Sequence, residues 1–194
     1  MKEFWDSKYA SSTYVYGTQP NEYVKDAISK NILSGRVMFP AEGEGRNAVY
    51  AAQQGLQVVA FDQSTEARLK ALRLAADKSV EIEYLTGTFD GAVLTYAHFP
   101  PYLRAQYHQH VEKYIKSGGV IVLEAFSKAH TKYQQQNPSV GGPQNIDMLY
   151  TTEIILNDFP EFAPLQIEET DVPLSEGIGH NGTASVIRFI GIKK

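Results

Sequence analysis

The sequence predicts an α/β fold: a mostly parallel sheet with helices on both faces and an antiparallel C-terminal edge strand. Three observations predict it. From residue 36 onward, short β-rich runs alternate with longer helical ones, the pattern of βαβ units. The first run, "RVMFP", is apolar without alternating polarity, as expected of a strand buried on both faces. The last two strand-like runs have no helical pattern between them, so they pair antiparallel.

The elements follow in order. After "RVMFP" comes a small-residue turn, "AEGEG", and a helix, "RNAVYAAQQG", closed by Gly55. "QVVAFD" is the second strand, and "STEARLKALRLAADK" a helix opened by Ser64 or Thr65 as N-cap. "VEIEYLT" and "GAVLTYAHF" read as strands, and "PPYLRAQYHQHVEKYIK" as a helix with proline in its first turn. "GGVIVLEAF" is a further strand and "NIDMLYTTEIILNDF" a helix, and "LQIEETDV" and "ASVIRFIGIK" close the chain. Between "VEIEYLT" and "GAVLTYAHF" the connection is too short for the crossover that neighbouring parallel strands need. Either the two runs are not neighbours, or a connection has been lost.

The whole chain, 1–194, suits a single domain, with an α/β core over 36–194. A polar segment near 127–144, rich in Gly, Pro, Asn and Gln, reads as a loop or lid over that core. The net charge of -4 recommends no nucleic-acid partner. Without cysteine there is no disulfide, thiolate metal site or cysteine nucleophile. No apolar run is long enough to span a membrane, and the expected location is the cytoplasm.

The turn raises the question of its ligand. In open α/β sheets ligands bind at the carboxyl ends of the strands, beside the first turn, as in Rossmann-like folds. Gly43 and Gly45 let backbone approach a ligand, and Asp62, 17 positions after Gly45, can accept both hydroxyls of a ribose. Yet Glu42 and Glu44 stand where a pyrophosphate would lie, and like charges in close contact repel. A cationic adenosine ligand such as S-adenosylmethionine suits that loop better than NAD. The alternative is a tight turn with both carboxylates in solvent.

"AEGEGRNAVYAA", "VVAFDQS", "YAHFPPYLR", "GGVIVLEAF" and "EGIGHNGTASVIRFIG", together with the N-terminal "WDSKYASSTYVYGTQPN", resemble class I S-adenosylmethionine-dependent methyltransferases, in particular the tellurite-resistance-type branch. The resemblance covers nearly the whole chain and implies a set of positions. Residues 1–35 would form an arm over the cofactor. Ala41, Glu42, Gly43 and Gly45, continuing into Arg46 and Asn47, would form the loop under the methionine moiety. Asp62 would hold the ribose and Gln63 would lie beside the adenine, while Tyr96 and Ala97 would lie beneath the sulfonium. Gly118 and Gly119 would turn the chain before the fifth strand. The family's acidic adenine contact has no counterpart in "YLTGTFDG".

Methyl transfer asks the protein mainly for positioning, and for a base only where the nucleophile must lose a proton. His98, after the fourth strand-like run, is a candidate base, or a cap for the following helix. Glu124 is a carboxylate in an apolar strand, expensive to bury unpaired. It faces the substrate, or it pairs with Arg46, Arg104 or backbone N–H groups. Glu176 and His180 bracket "EGIGH" and close the substrate side, or are turn residues. Arg104 could hold an anionic substrate, or be a solvated helix residue. No metal site is expected, since His108 and His110 point apart on a helix and read as surface residues. Trp5, Tyr9, Tyr14, Tyr16 and Tyr23 form a lid suited to a sulfonium, or pack for stability alone. The expected activity is methylation of a small-molecule acceptor; the alternatives are an NAD-dependent oxidoreductase and a non-catalytic methyltransferase-like binding protein.

Overall fold

The computed structural model describes residues 2–83 and 88–194. Two helices come first, α1 (Lys2–Tyr9) and α2 (Glu22–Ser29), followed by β1 (Arg36–Pro40), α3 (Arg46–Gln53), β2 (Gln57–Phe61) and α4 (Thr65–Asp77). Then come β3 (Phe89–Thr95), α5 (Pro101–Tyr114), β4 (Ile115–Phe126), α6 (Thr131–Gln136), α7 (Thr152–Asp158), β5 (Phe162–Glu176) and β6 (His180–Lys193). The six strands form one sheet in the order β2-β1-β3-β4-β6-β5. β1 is parallel to β2 and β3, and β3 to β4, whereas β6 runs antiparallel to both β4 and β5. The reversed strand therefore lies inside the C-terminal edge, and β5 is the edge itself.

Side chains alternate across the sheet, as strand geometry requires. Val37, Phe39, Val58, Val122 and Ile190 pack with α2, α3 and α4 on one face. Met38, Val59, Leu94, Ile121, Leu123 and Phe189 pack with α5 and α7 on the other. α4 starts where Ser64 caps it, its side chain accepting from Ala67 N at 3.1 Å.

Several expectations change. Of the run expected as a strand at 80–86, Glu83 makes a single parallel bridge to Val59 of β2, and residues 84–87 lie outside the described residues. β3 pairs with β1 and β4 instead, so the two runs on either side of the short connection are not neighbours. The helix expected over 145–159 is divided. A 3-10 turn covers Ile146–Met148, and α7 begins only after Thr151, whose side chain caps Ile154 N at 3.2 Å. Leu149 and Tyr150 between them are fully buried, and Tyr150 bridges to Ser127, so tertiary packing interrupts a periodic pattern. The segment near 127–144 is folded, with 3-10 turns at Lys128–His130 and Pro138–Val140 flanking α6. Asn137 Nδ2 donates to Asn181 O at 3.0 Å, and a Cβ on Gly141 would lie 2.2 Å from Gly179 O. The segment thus seals the tip of the β5–β6 hairpin.

Candidate active site

The loop after β1 is built from local conformation. Gly43 and Gly45 have φ of 65° and 90°, the left-handed region open to glycine. A side chain at Gly45 would also strike α4, with Ala71 Cβ only 2.7 Å from the added Cβ. Asp62, just past β2, accepts from Gly43 N at 2.9 Å and from Ser64 N at 2.8 Å. Burial raises its pKa, a push the backbone N–H groups only partly offset.

Both glutamates of the loop are engaged within the protein, so neither is simply turned to solvent. Glu42 Oε1 accepts from Asn47 N and Ala48 N, each at 2.8 Å, and so fills the N-terminus of α3. Burial pushes its carboxyl up to about 7 despite those bonds. Glu44 is buried and paired with Lys70 at 2.5 Å, and its other oxygen accepts from Val15 N at 2.8 Å. Glu44 is therefore a clamp on the N-terminal arm. Glu42 itself occupies the helix terminus where phosphates bind, and the neighbouring cations Arg46 and Lys70 are committed to Glu176 and Glu44.

The arm lies over this loop. The Trp5 and Tyr9 rings stack at 5.6 Å, and the Tyr9 hydroxyl would sit 3.0 Å from a Cβ on Gly43. Asp6 accepts from Ser64 Oγ at 2.7 Å and from Glu66 N at 3.3 Å, fastening α1 to the start of α4. Lys8 lies 5.0 Å from the Trp5 ring and 5.0 Å from the Tyr16 ring.

At the carboxyl ends of β3, β4 and β5 the chain brings together residues from widely separated positions. Asn21, which caps α2, donates through Nδ2 to Glu124 Oε1 at 2.6 Å and to Glu176 Oε1 at 3.1 Å. Glu124 also accepts from the Tyr96 hydroxyl at 2.9 Å and from Arg188 Nε at 2.7 Å. Glu176 Oε2 accepts from Arg46 at 3.0 Å and lies 3.0 Å from His180 Nδ1. Burial pushes the Glu176 carboxyl up, but the His180 hydrogen bond and the Arg46 guanidinium outweigh it and hold the pKa at about 2. His180, its own pKa lowered by burial, sits among Tyr16, Tyr96 and Phe126, at 4.5, 4.5 and 5.2 Å between ring centres. With Nδ1–H donated to Glu176, the lone pair falls on Nε2, which has no hydrogen bond among the described residues.

Of the residues expected from sequence, Arg46, Asn47, Tyr96, Glu124, Glu176 and His180 converge here, Asn47 by accepting from Asn21 N at 2.8 Å. Others do not. His98 has both ring nitrogens engaged, Nδ1 with Met148 O at 2.8 Å and Nε2 with Phe126 N at 3.1 Å. Burial lowers its pKa to about 4. As a candidate base it is corrected to a neutral clamp between β4 and the 3-10 turn. Glu124, 1% exposed and with both oxygens bonded to Asn21, Tyr96 and Arg188, is a positioning group rather than a base. Its cation is Arg188, whereas sequence reasoning named Arg46 or Arg104. Arg104 is turned to α7, its Nε 2.7 Å from Asp158, so it is neither solvated nor at this site. His108 shares that aspartate at 2.8 Å and is fully buried, correcting its assignment to the surface. Ala97 is buried with its carbonyl taken by the Tyr150 hydroxyl at 2.9 Å, and Gln63 is exposed beside Asp62. Asn21 and Arg188 escaped the sequence reading. Arg188 had the same signal as Glu124, a charge within an apolar strand, "SVIRFIG".

The sheet, with its glycine loop, the acid just past β2 and the polar cluster across the strand ends, shares the fold of solved S-adenosylmethionine-dependent methyltransferases. No family model and no curated protein sequence matches the chain. Solved structures do. TehB from Haemophilus influenzae aligns over 100% of this chain and 67% of its own, at a TM-score of 0.66 and 15% identity. A SAM-dependent methyltransferase from Anabaena variabilis aligns over 100% and 93%, at a TM-score of 0.72 and 15% identity. Magnesium protoporphyrin IX methyltransferase from Synechocystis, with bound SAH, aligns over 89% and 81%, at a TM-score of 0.68 and 15% identity.

Proposed function

We propose that this chain is an S-adenosylmethionine-dependent methyltransferase acting on a small-molecule acceptor. The observation that carries the reading is the Glu42 carboxylate seated on Asn47 N and Ala48 N. It closes the phosphate position of the fold while leaving Asp62 at the end of β2 for ribose hydroxyls. That disfavours the NAD-dependent alternative. The fold shared with methyltransferases supports the same choice.

When bound, the cofactor supplies an electrophilic methyl group. The loop from Ala41 to Gly45 would hold its amino-acid end and Asp62 its ribose, with Tyr96 at the reacting sulfur. The aromatic rings of Tyr16 and Tyr96 favour a sulfonium by cation–π attraction of about 0.5–2 kcal/mol. His180 takes the acceptor's proton at Nε2 where the nucleophile has one to lose. Glu176 holds the ring by Nδ1 and stabilises the imidazolium that results.

Calorimetry with S-adenosylhomocysteine tests this directly. Binding is expected, and Asp62→Ala should weaken it at least about tenfold, or ~1.4 kcal/mol. Absence of heat with the wild-type chain, or tight binding of NADH in a fluorescence titration, would overturn the reading.

A further inference from the structure

We propose that the pocket between the N-terminal arm and the β5–β6 hairpin is an anion subsite, and that it takes a carboxylate carried by the methyl acceptor. Naming the ligand as the acceptor rests on the methyltransferase reading; the subsite itself does not. The pocket has a volume of about 240 Å³ and is walled by Asn21, Tyr23, Glu124, Leu174, Glu176 and Arg188. That is just below the range of about 300–1,000 Å³ for sites that enclose a drug-sized ligand, a size for a small group such as a carboxylate, and it adjoins the Tyr96–Glu124 contact beside the proposed reaction centre.

Arg188 is the recognising group. It stands on β6 in register with Glu124 of β4 and Glu168 of β5. Its Nε donates to Glu124 Oε2 at 2.7 Å, and the guanidinium carbon lies 4.7 Å from the centre of the Tyr23 ring. One edge of the fork is thereby pinned and its plane is backed by an aromatic face. The outer edge, with both terminal nitrogens, has no hydrogen-bond partner among the described residues. A planar fork held this way is pre-organised for a carboxylate at the outer edge, a fit that lysine cannot reproduce.

The charges around it decide the sign. The Arg188 side chain is 24% exposed and that of Glu124 only 1%, so the pocket presents the cation while its counter-charge lies behind it. Glu176 is already taken by Arg46 and His180, Glu22 on the rim pairs with Lys25 at 3.4 Å, and the exposed Glu168 accepts from Gln166 at 2.8 Å. A cationic ligand would meet carboxylates whose partners are in place and an arginine that repels it. The Tyr23 hydroxyl, on the same wall, is buried without a hydrogen-bond partner among the described residues. Val172 and Leu174 supply apolar wall for the body of the ligand.

The test uses the full chain in the presence and absence of S-adenosylhomocysteine, with sodium benzoate as probe and benzamide as its uncharged counterpart. The readouts are the Arg188 Nε–H resonance, assigned by its loss in Arg188→Lys, and the methyl resonances of Leu174. Benzoate should shift both and saturate in the millimolar range, and benzamide should bind at least about tenfold more weakly. Arg188→Lys should lose at least about fivefold in benzoate affinity, because it keeps the charge and loses the fork. Resonances that do not move, equal response to the two probes, or full benzoate affinity in the lysine variant would each overturn the proposal. The wild-type titrations decide the matter even if the variant folds poorly. Benzoate discrimination in a chain that binds no S-adenosylhomocysteine would sink the cofactor assignment and keep the subsite; the converse result would do the opposite.

Discussion

Glu42 and Glu44 stand two positions apart, and the backbone between them decides that they do different things. Ala41 and Gly43 both have positive φ, so the chain turns sharply and sends the two carboxylates to opposite partners. Glu42 reaches the free N–H groups of α3; Glu44 reaches Lys70 and the arm. Sequence reading recognised two charges too many for a phosphate but had no means to see where they go. At about pH 4.5 Glu42→Ala should cost about 0.5–2 kcal/mol, the range for losing a helix cap, read as a lower urea midpoint with an unchanged slope. Glu124 shows the same limit from another side. Its burial and need for a partner followed from "GVIVLEAF", but the partner, Arg188, is set by the pairing of β4 with β6. The site was legible as residue types, and its wiring was not.

Among the elements, α1 and the chain following it depend on a few buried contacts. Lys70 of α4 donates to Glu44 and, at 2.7 Å, to Thr13 O, while Asp6 reaches the first turn of the same helix. α1 has little apolar surface of its own in the core, Tyr9 being its one buried residue. Lys70→Met should therefore leave Glu44 buried and uncompensated, at a cost of about 3–5 kcal/mol. Limited proteolysis should then cut within residues 2–20 much faster than in wild type. Adding Glu44→Gln should restore part of the resistance, because the stranded charge is removed. Unchanged cleavage in the single variant would show that the arm is held by its aromatic contacts instead. Helical periodicity located α4 and α5 well, since each packs one face on the sheet. It failed at 145–159, where Tyr150 is drawn into the core and Thr151 restarts the helix.

Over the whole molecule, buried titratable groups set opposing responses to pH. His98, His108, His130 and His180 all have pKa values lowered by burial, His98 to about 4. The unfolded chain binds those protons first, so the stability they contribute is complete above about pH 6.5 and is lost as the pH falls through each folded value, about 4 for His98. For His98 the loss is on the order of 3 kcal/mol. Glu42 acts in the other direction. Its folded pKa of about 7 exceeds the unfolded value, so its contribution is complete below about pH 4.5 and is lost as pH rises toward 7. Urea midpoints measured between pH 7 and 4.5 should fall more steeply in Glu42→Gln than in wild type. They should fall less steeply in His98→Asn, which keeps a donor toward Met148. Parallel slopes in all three would contradict this balance. The sequence alone determined the α/β alternation, the antiparallel close, the glycine turn and the acid after the second strand, because each is written in local periodicity and turn chemistry. Tertiary structure alone decided which strand sits beside which, which cation meets each buried carboxylate, and that His98 is a clamp while His180 keeps a nitrogen free. Those outcomes depend on contacts between positions far apart in the chain, and a buried charge is settled by whatever partner the fold brings within hydrogen-bonding distance.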